Sequence, residues 1–213
     1  ITDNVCHAPR TMAAIYTYDN STQIDYKHPP KCLIVWGRNS LRTGSEGSPA
    51  EYRQVFEGGT KIIVIDPMRI PQVSRAEMWI KPRPGSDGLL ALGLLNVIIR
   101  DELYDNEFVE RWTIGFESLR EHVVDIEPEY VAEMTWVPVS QIERAARMYA
   151  TLKPAAIQWG NALDQTSNSF QTCRAIAILR AITGNIDVRG GEIIPGTIPT
   201  MSGYEFGLFK GSR

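Results

Sequence analysis

Residues 32–40 read Cys32-Leu33-Ile34-Val35-Trp36-Gly37-Arg38-Asn39-Ser40, five apolar residues that stop at a glycine. The run does not alternate polar with apolar, so both of its faces call for cover, as in a strand inside a parallel sheet. Downstream, Ile62-Ile63-Val64-Ile65 repeats the pattern and stops at Asp66-Pro67. Between the two runs, Ser48, Pro49 and Glu51 supply an N-cap, a first-position proline and the third-position acid of a capping box. Gly58-Gly59 ends that helix. Strand, helix and strand over residues 32–65 make one βαβ unit.

The alternation continues along the chain. Met78-Trp79-Ile80 reads as a third strand, followed by the loop Lys81–Asp87 and a helix from about Gly88 to Glu102, apolar almost all round and therefore buried. Shorter helices are predicted at Asn106–Trp112 and Phe116–Val124. Ser140 and Glu143 read as a second capping box, opening a helix with Ile142, Ala145, Ala146, Tyr149 and Leu152 on its apolar face and Pro154 at its end. Ala155–Trp159 is a fourth strand, and a helix runs from about Asn168 to Ile182, closed by Gly184-Asn185. Residues 1–30 read as irregular, up to the stop at Pro29-Pro30. This order predicts an α/β fold, a mainly parallel sheet flanked by helices in a Rossmann-like three-layer domain.

Composition narrows the function. The chain has 213 residues, 43% hydrophobic and 22% charged, which excludes general disorder and a small disulfide scaffold. Lys and Arg number 22 against 25 Asp and Glu, a net charge of −3, so there is no overall basic footprint for nucleic acid. No run approaches the roughly 20 apolar residues of a membrane span; the longest, Leu89–Ile99, is interrupted by Gly93 and Asn96. Cys6, Cys32 and Cys173 are scattered, with no CxxC and no zinc spacing, and they do not report the redox compartment. The start at Ile1 and the glycine-rich approach to Arg213 read as a piece of a longer protein, with any targeting signal to cytoplasm or periplasm outside it.

Ligands of an open parallel sheet bind beyond the carboxyl ends of its strands. Those ends carry Gly37-Arg38-Asn39, Asp66-Pro67-Met68-Arg69, Arg83-Pro84-Gly85-Ser86-Asp87 and Gly160-Asn161. Arg38, Arg42, Arg69, Lys81 and Arg83 concentrate positive charge there in an acidic chain. Glycines let backbone N–H groups approach a phosphate, arginines bind it bidentately, and an aspartate accepts from a guanine edge or a ribose hydroxyl. Any one of these loops reads equally as a plain turn with solvated arginines; the four together read as a nucleotide site. Neither GxGxxG after the first strand nor GxxxxGK[ST] is present, which disfavours a standard nicotinamide or ATP site.

The same loops carry a family resemblance. CLIVWGRNS at 32–40 resembles the "vvlWGsNp" segment of the molybdopterin oxidoreductases, the dimethyl sulfoxide reductase and formate dehydrogenase superfamily. KIIVIDPMR at 61–69 is similar to their "kiivIDPR" segment, and WIKPRPGSDGLLALGLLNVII at 79–99 to their "PGTD" segment. Residues 103–123, AIQWGN at 156–161 and AIAILRAITGNIDVRGG at 175–191 follow in the same order, so the resemblance covers about 4–194. It implies that residues 1–213, with a core of about 31–195, are a single molybdopterin guanine dinucleotide-binding domain of a longer catalytic subunit, inactive alone. The metal is molybdenum or tungsten, and any iron–sulfur cluster lies outside this stretch.

By the same resemblance, Gly37, Arg38 and Asn39 lie by the phosphates, Asp66 and Arg69 by the guanosine, and Gly85, Ser86 and Asp87 by the guanine. Gly160 and Asn161 face the pterin and metal, and Asn185 has either a similar place or only a helix-stop role. NVCHAPR at 4–10 stands where the superfamily supplies its protein ligand to the metal. Cys6 is then that ligand, a soft thiolate suited to it, and His7 serves in proton transfer. Without the resemblance Cys6 reads as an ordinary thiol and His7 as a surface residue. The implied activity is oxygen-atom or hydride/electron transfer on a small-molecule substrate, with the remaining domains and an electron-transfer subunit as partners. No arginine follows the 175–191 segment before Arg213, which speaks against formate as that substrate. The alternatives are a hydratase-like, non-redox member and a non-catalytic nucleotide-binding or interaction module.

Overall fold

In a computed structural model that describes residues 6–43 and 48–194, the run that opens this reading is the central strand of a parallel sheet. In chain order the elements are α1 (Ala8–Tyr18), β1 (Gln23–Ile24), β2 (Cys32–Trp36), α2 (Ser40–Thr43), α3 (Pro49–Glu57), β3 (Lys61–Ile65) and a 3-10 turn (Pro71–Arg75). There follow β4 (Met78–Ile80), α4 (Asp87–Arg100), α5 (Asn106–Trp112), α6 (Phe116–Val123), α7 (Pro128–Thr135) and α8 (Val139–Thr151). The last are β5 (Ala155–Trp159), α9 (Asn161–Asp164), α10 (Ser169–Ile182) and β6 (Glu192–Ile193). The glycine-rich approach to Arg213 lies outside the described residues.

Four strands form the sheet in the order β4-β3-β2-β5, all parallel. Their register is level: Trp36 is opposite Ile65 on one side and Trp159 on the other, and Ile65 is opposite Ile80. All four carboxyl ends therefore open at one edge of the domain. All five β2 residues are buried, as the absence of alternation requires. Cys32, Ile34 and Trp36 enter the core that α4, α8 and α10 share with the sheet, while Leu33 and Val35 enter a second core with Tyr52 and Val55 of α3. Two cores on opposite faces make three layers, the expected α/β class. Gly93, which interrupts the apolar run of α4, lies against α7: a Cβ there would sit 2.9 Å from Val131 Cγ2. The helix from Ser48 has the anticipated box, with Ser48 Oγ accepting from Glu51 N–H at 3.3 Å and Glu51 Oε2 from Ser48 N–H at 2.6 Å.

Three expectations fail. Residues 1–30 are not irregular throughout, since α1 and β1 fall within them, and β1 pairs antiparallel with β6. The helix assigned to a Ser140 cap begins at Val139 behind Pro138, and no side chain caps it, so Ser140 lies inside its first turn. The helices α2, α7 and α9 were not anticipated at all.

β5 is the outer strand beside β2, yet its outward backbone groups are satisfied. Ala155 N–H donates to Asn185 Oδ1 at 2.9 Å, and Ile157 N–H donates to Glu192 Oε1 at 2.9 Å. Ile157 C=O accepts from Arg180 Nη2 at 2.7 Å, and Trp159 C=O from Arg10 Nη1 at 2.8 Å. Arg180 and Glu192 pair at 2.8 Å with side chains 1% exposed, and the Arg180 guanidinium lies 3.6 Å from the Trp159 ring centroid. Side chains thus occupy the place of a fifth strand. Among the described residues no helix is long and apolar enough to cross a membrane.

Candidate functional site

The chain builds the sheet from β2 through β3 to β4, then returns to add β5 on the other side of β2. Strand order reverses between β2 and β5, and a crevice opens beyond the carboxyl ends at such a switch point. Gly37 and Gly160 close its floor. Gly37 has φ 59°, the left-handed region, and its N–H donates to Ile65 C=O at 2.9 Å. Gly160 N–H donates to Trp36 C=O at 2.9 Å, and a Cβ on Gly160 would fall 2.0 Å from Gly37 O. No side chain fits between the two loops.

The loop after β2 is held from below by a buried polar group on β5. Ser40 Oγ donates to Gln158 Oε1 at 3.1 Å and accepts from Gln72 Nε2 at 3.2 Å, while Gln158 Nε2 donates to Tyr26 OH at 2.7 Å. Arg38 and Asn39, just before Ser40, are half-buried. Asn39 Oδ1 is enclosed and accepts no hydrogen bond among the described residues. A buried amide oxygen left in that state calls for a donor from a ligand or water.

Beyond β3 and β4 lie two carboxylates. Asp66 Oδ1 accepts from Met68 N–H at 2.8 Å, and Asp87 Oδ1, at the start of α4, accepts from Trp36 Nε1–H at 2.8 Å. Burial raises both carboxyls above the ordinary range, and the Asp87 charge raises Asp66 further. Two acceptors at such a place suit a donor-rich ligand edge, because each N–H or O–H brought to them relieves desolvation and repulsion together. Gly85 has φ 83° with open space around it, whereas Ser86 is buried and its hydroxyl donates to Arg83 C=O at 2.7 Å. Arg42, Arg69, Lys81 and Arg83 are exposed around this edge. Arg83 lies 6.0 Å from the ring centroid of Trp136, the residue that ends α7.

Cys6 and His7 reach the same edge through α1. Cys6 is a half-buried free thiol, and His7 is the exposed residue preceding the helix. Arg10 ties them down, donating through Nη2 to Cys6 C=O at 2.8 Å and to Asn161 Oδ1 at 2.6 Å, and lying 3.3 Å from His7 Nδ1. Its Nε pairs with Asp164 Oδ2 at 2.7 Å. His7, Arg10, Tyr26, Glu51 and Trp159 help line a cleft of about 390 Å³. The other two cysteines are buried, which pushes each thiol up to about 12 and leaves it protonated at neutral pH. Among the described residues no three His, Cys, Asp or Glu side chains gather to hold a metal ion.

The structure thus brings Gly37, Arg38, Asn39, Asp66, Arg69, Gly85, Ser86, Asp87, Gly160, Asn161, Cys6 and His7 to one end of the sheet. It does not bring Asn185. That side chain holds Ala155 N–H and donates to Thr183 Oγ1 at 2.8 Å, at the amino end of β5. Four residues along a strand, about 13 Å, separate it from the crevice. Its helix-stop reading is the one that stands. The sequence reading missed Arg10 and Asp164, whose partnership spans 154 positions. The only local hint was an arginine one helical turn after Cys6.

A profile of the molybdopterin oxidoreductase family matches residues 3–213. The acetylene hydratase of Syntrophotalea acetylenica is 40% identical over 163 residues, 76% of this chain and 22% of that protein. Formate dehydrogenase H of Escherichia coli (strain K12) is 39% identical over 162 residues, 70% of this chain and 23% of that protein. The thiosulfate reductase molybdopterin-containing subunit of Salmonella typhimurium is 31% identical over 189 residues, 88% of this chain and 25% of that protein. Among solved structures, acetylene hydratase from Pelobacter acetylenicus matches with a TM-score of 0.84 at 36% identity, covering 90% of this chain and 26% of that one. The chain spans about a quarter of the length of these relatives.

Proposed function

This chain belongs to the molybdopterin oxidoreductase family, and from that premise we propose that residues 1–213 are one cofactor-binding domain of a longer catalytic subunit. The cofactor is a molybdopterin guanine dinucleotide lying across the carboxyl ends of β2, β3, β4 and β5. The observation that carries this reading is the level set of four strand ends at the switch point, with Cys6 fastened to the same end by Arg10. The residues fit such a group. Asn39 Oδ1 lacks a donor among the described residues, Gly85 leaves open space, and Asp66 and Asp87 offer acceptors.

Gly37, Arg38 and Asn39 hold the phosphates, Asp66 and Arg69 the guanosine, and Asp87 the guanine edge, with Gly85 and Ser86 shaping its loop. Gly160 and Asn161 line the side toward the pterin. When bound, the pterin-held molybdenum or tungsten supplies the redox or water-activating chemistry, as metals and cofactors do in general. Cys6, held at this end by Arg10, gives that metal its protein ligand. His7, exposed beside it, carries a proton between the site and solvent.

Oxygen-atom or electron transfer is the leading activity, and the remaining domains with an electron-transfer subunit are its partners. A second reading has a specific support: an acetylene hydratase is matched in sequence, at 40% identity, and in structure, with a TM-score of 0.84. In that reading the site activates water for addition and exchanges no electrons with a partner.

Two experiments test the proposal. Titrating GDP and ADP against this chain, with Asp87→Ala beside the wild type, should show a guanine preference that the variant loses. An adenine edge has no matching pair of donors for a carboxylate. Equal affinities in the wild type remove guanine recognition. In the full-length parent, dye-linked assays run with oxidised and with reduced viologen separate the readings: a redox enzyme changes the dye in one of the two directions when substrate is added, and hydration changes it in neither.

A further inference from the structure

The Arg10 side chain lies almost wholly inside the protein, 5% exposed, beside an Asp164 side chain that is 0% exposed. A guanidinium has five N–H donors in a rigid planar fork. Here Nε takes Asp164 Oδ2 at 2.7 Å, Nη1 takes Trp159 C=O at 2.8 Å, and Nη2 takes Cys6 C=O at 2.8 Å and Asn161 Oδ1 at 2.6 Å. Asp164 holds the same residue twice, its Oδ1 accepting from Arg10 N–H at 3.2 Å. Four of its five N–H groups are committed in this way, so the guanidinium is held chiefly by the protein itself. What it does is join three pieces of chain: the Cys6 segment, the end of β5 and the first turn of α9.

We propose that Arg10, clamped by Asp164, is a positioning residue that sets the place of Cys6 against the carboxyl end of β5 and orients the Asn161 amide. The inference rests on the reading of Cys6 as metal ligand. A ligand at a chain segment outside the sheet has no ladder to locate it, and small displacements at a reacting centre are costly. The clamp supplies that location from a buried group with four of its five N–H donors engaged. It also fixes Asn161: with Oδ1 engaged by Arg10, the amide NH2 of this exposed side chain is the group left to donate toward a ligand. A lysine would not substitute, because one ammonium does not reproduce the planar fork across Asp164, Trp159, Cys6 and Asn161.

The test uses the full-length parent enzyme with Arg10→Gln, Arg10→Lys, Asp164→Asn and Cys6→Ala. Pterin content, the metal–sulfur shell by X-ray absorption, thermal midpoint, kcat and KM are read for each. Arg10→Gln should keep its pterin, lose or lengthen one metal–sulfur contact, and lose about 100-fold in kcat with KM little changed. Arg10→Lys should not rescue it, and Asp164→Asn should fall between. A native sulfur shell and native kcat per bound metal in Arg10→Gln, whatever the thermal midpoint, would make the pair structural only and overturn the proposal. Should Arg10→Gln fail to fold, Asp164→Asn decides by the same two readouts. An unchanged shell in Cys6→Ala strikes the ligand reading itself, and the positioning role falls with it. A lost sulfur in Cys6→Ala beside a native shell in Arg10→Gln removes only the positioning role.

Discussion

Asp87 shows how a single residue is held in readiness at a cost. Its carboxyl is largely withdrawn from water and accepts one bond from Trp36 Nε1, and that burial raises its pKa. A raised carboxyl favours the folded state in acid and loses that contribution as pH rises through the folded pKa. Asp87→Asn keeps the acceptor for Trp36 and removes the charge. The variant should therefore melt a few degrees higher than the wild type at neutral pH; the gap should shrink as pH falls through the raised folded pKa and be gone below about pH 4, the ordinary carboxylate value. Melting curves across that range check both halves; a gap that widens in acid contradicts the sign. At this scale the position of a residue that directly follows an apolar run was legible, because the end of a strand is where such a side chain must emerge. The sequence reading misplaced Asn185, since a Gly-Asn pair closes a helix in the same way at either end of a sheet. Arg10 and Asp164 were beyond it, because a pair 154 residues apart leaves no periodic trace.

At the scale of elements, the closest contact in the site is between two loops. A methyl on Gly160 would meet Gly37 O at 2.0 Å and Arg38 Cα at 2.8 Å, and both are backbone atoms that side-chain rotation does not relieve. Gly160→Ala should cost about 1–3 kcal/mol or more, measured by denaturant titration, as β2 and β5 are forced apart at their carboxyl ends. Trp136 makes the opposite case. It closes α7 at φ 64°, a position where glycine is at ease and a tryptophan is strained, and it remains 69% exposed. Trp136→Gly should raise stability by roughly 0.5–1 kcal/mol, and an unchanged or lower value would show that the exposed ring contributes packing of its own. Strands and long helices were legible because apolar runs and buried faces leave a pattern several turns long. The first helix was not, for its start at His7 has no side-chain cap. The start of α8 was misread because Ser140 and Glu143 have capping spacing, but Pro138 already turns the chain into the helix.

Across the whole molecule, the buried Arg180–Glu192 pair decides how the sheet ends. Arg180→Leu removes the guanidinium that balances the buried Glu192 carboxylate and leaves Ile157 C=O without its donor, so it should cost about 3–5 kcal/mol in chemical denaturation. A loss below about 1 kcal/mol would mean that water enters and replaces the guanidinium. Asn185, Glu192, Arg180 and Arg10 together engage the outward groups of Ala155, Ile157 and Trp159 with their own side chains. The opposite boundary of the sheet is β4, three residues long. A strand from a second molecule finds no continuous row of vacant backbone groups along β5 and only a stub at β4. Fibrils grown from this protein should therefore recruit unfolded chains, and their lag time should follow the unfolded population set by denaturant more closely than the total concentration of native protein.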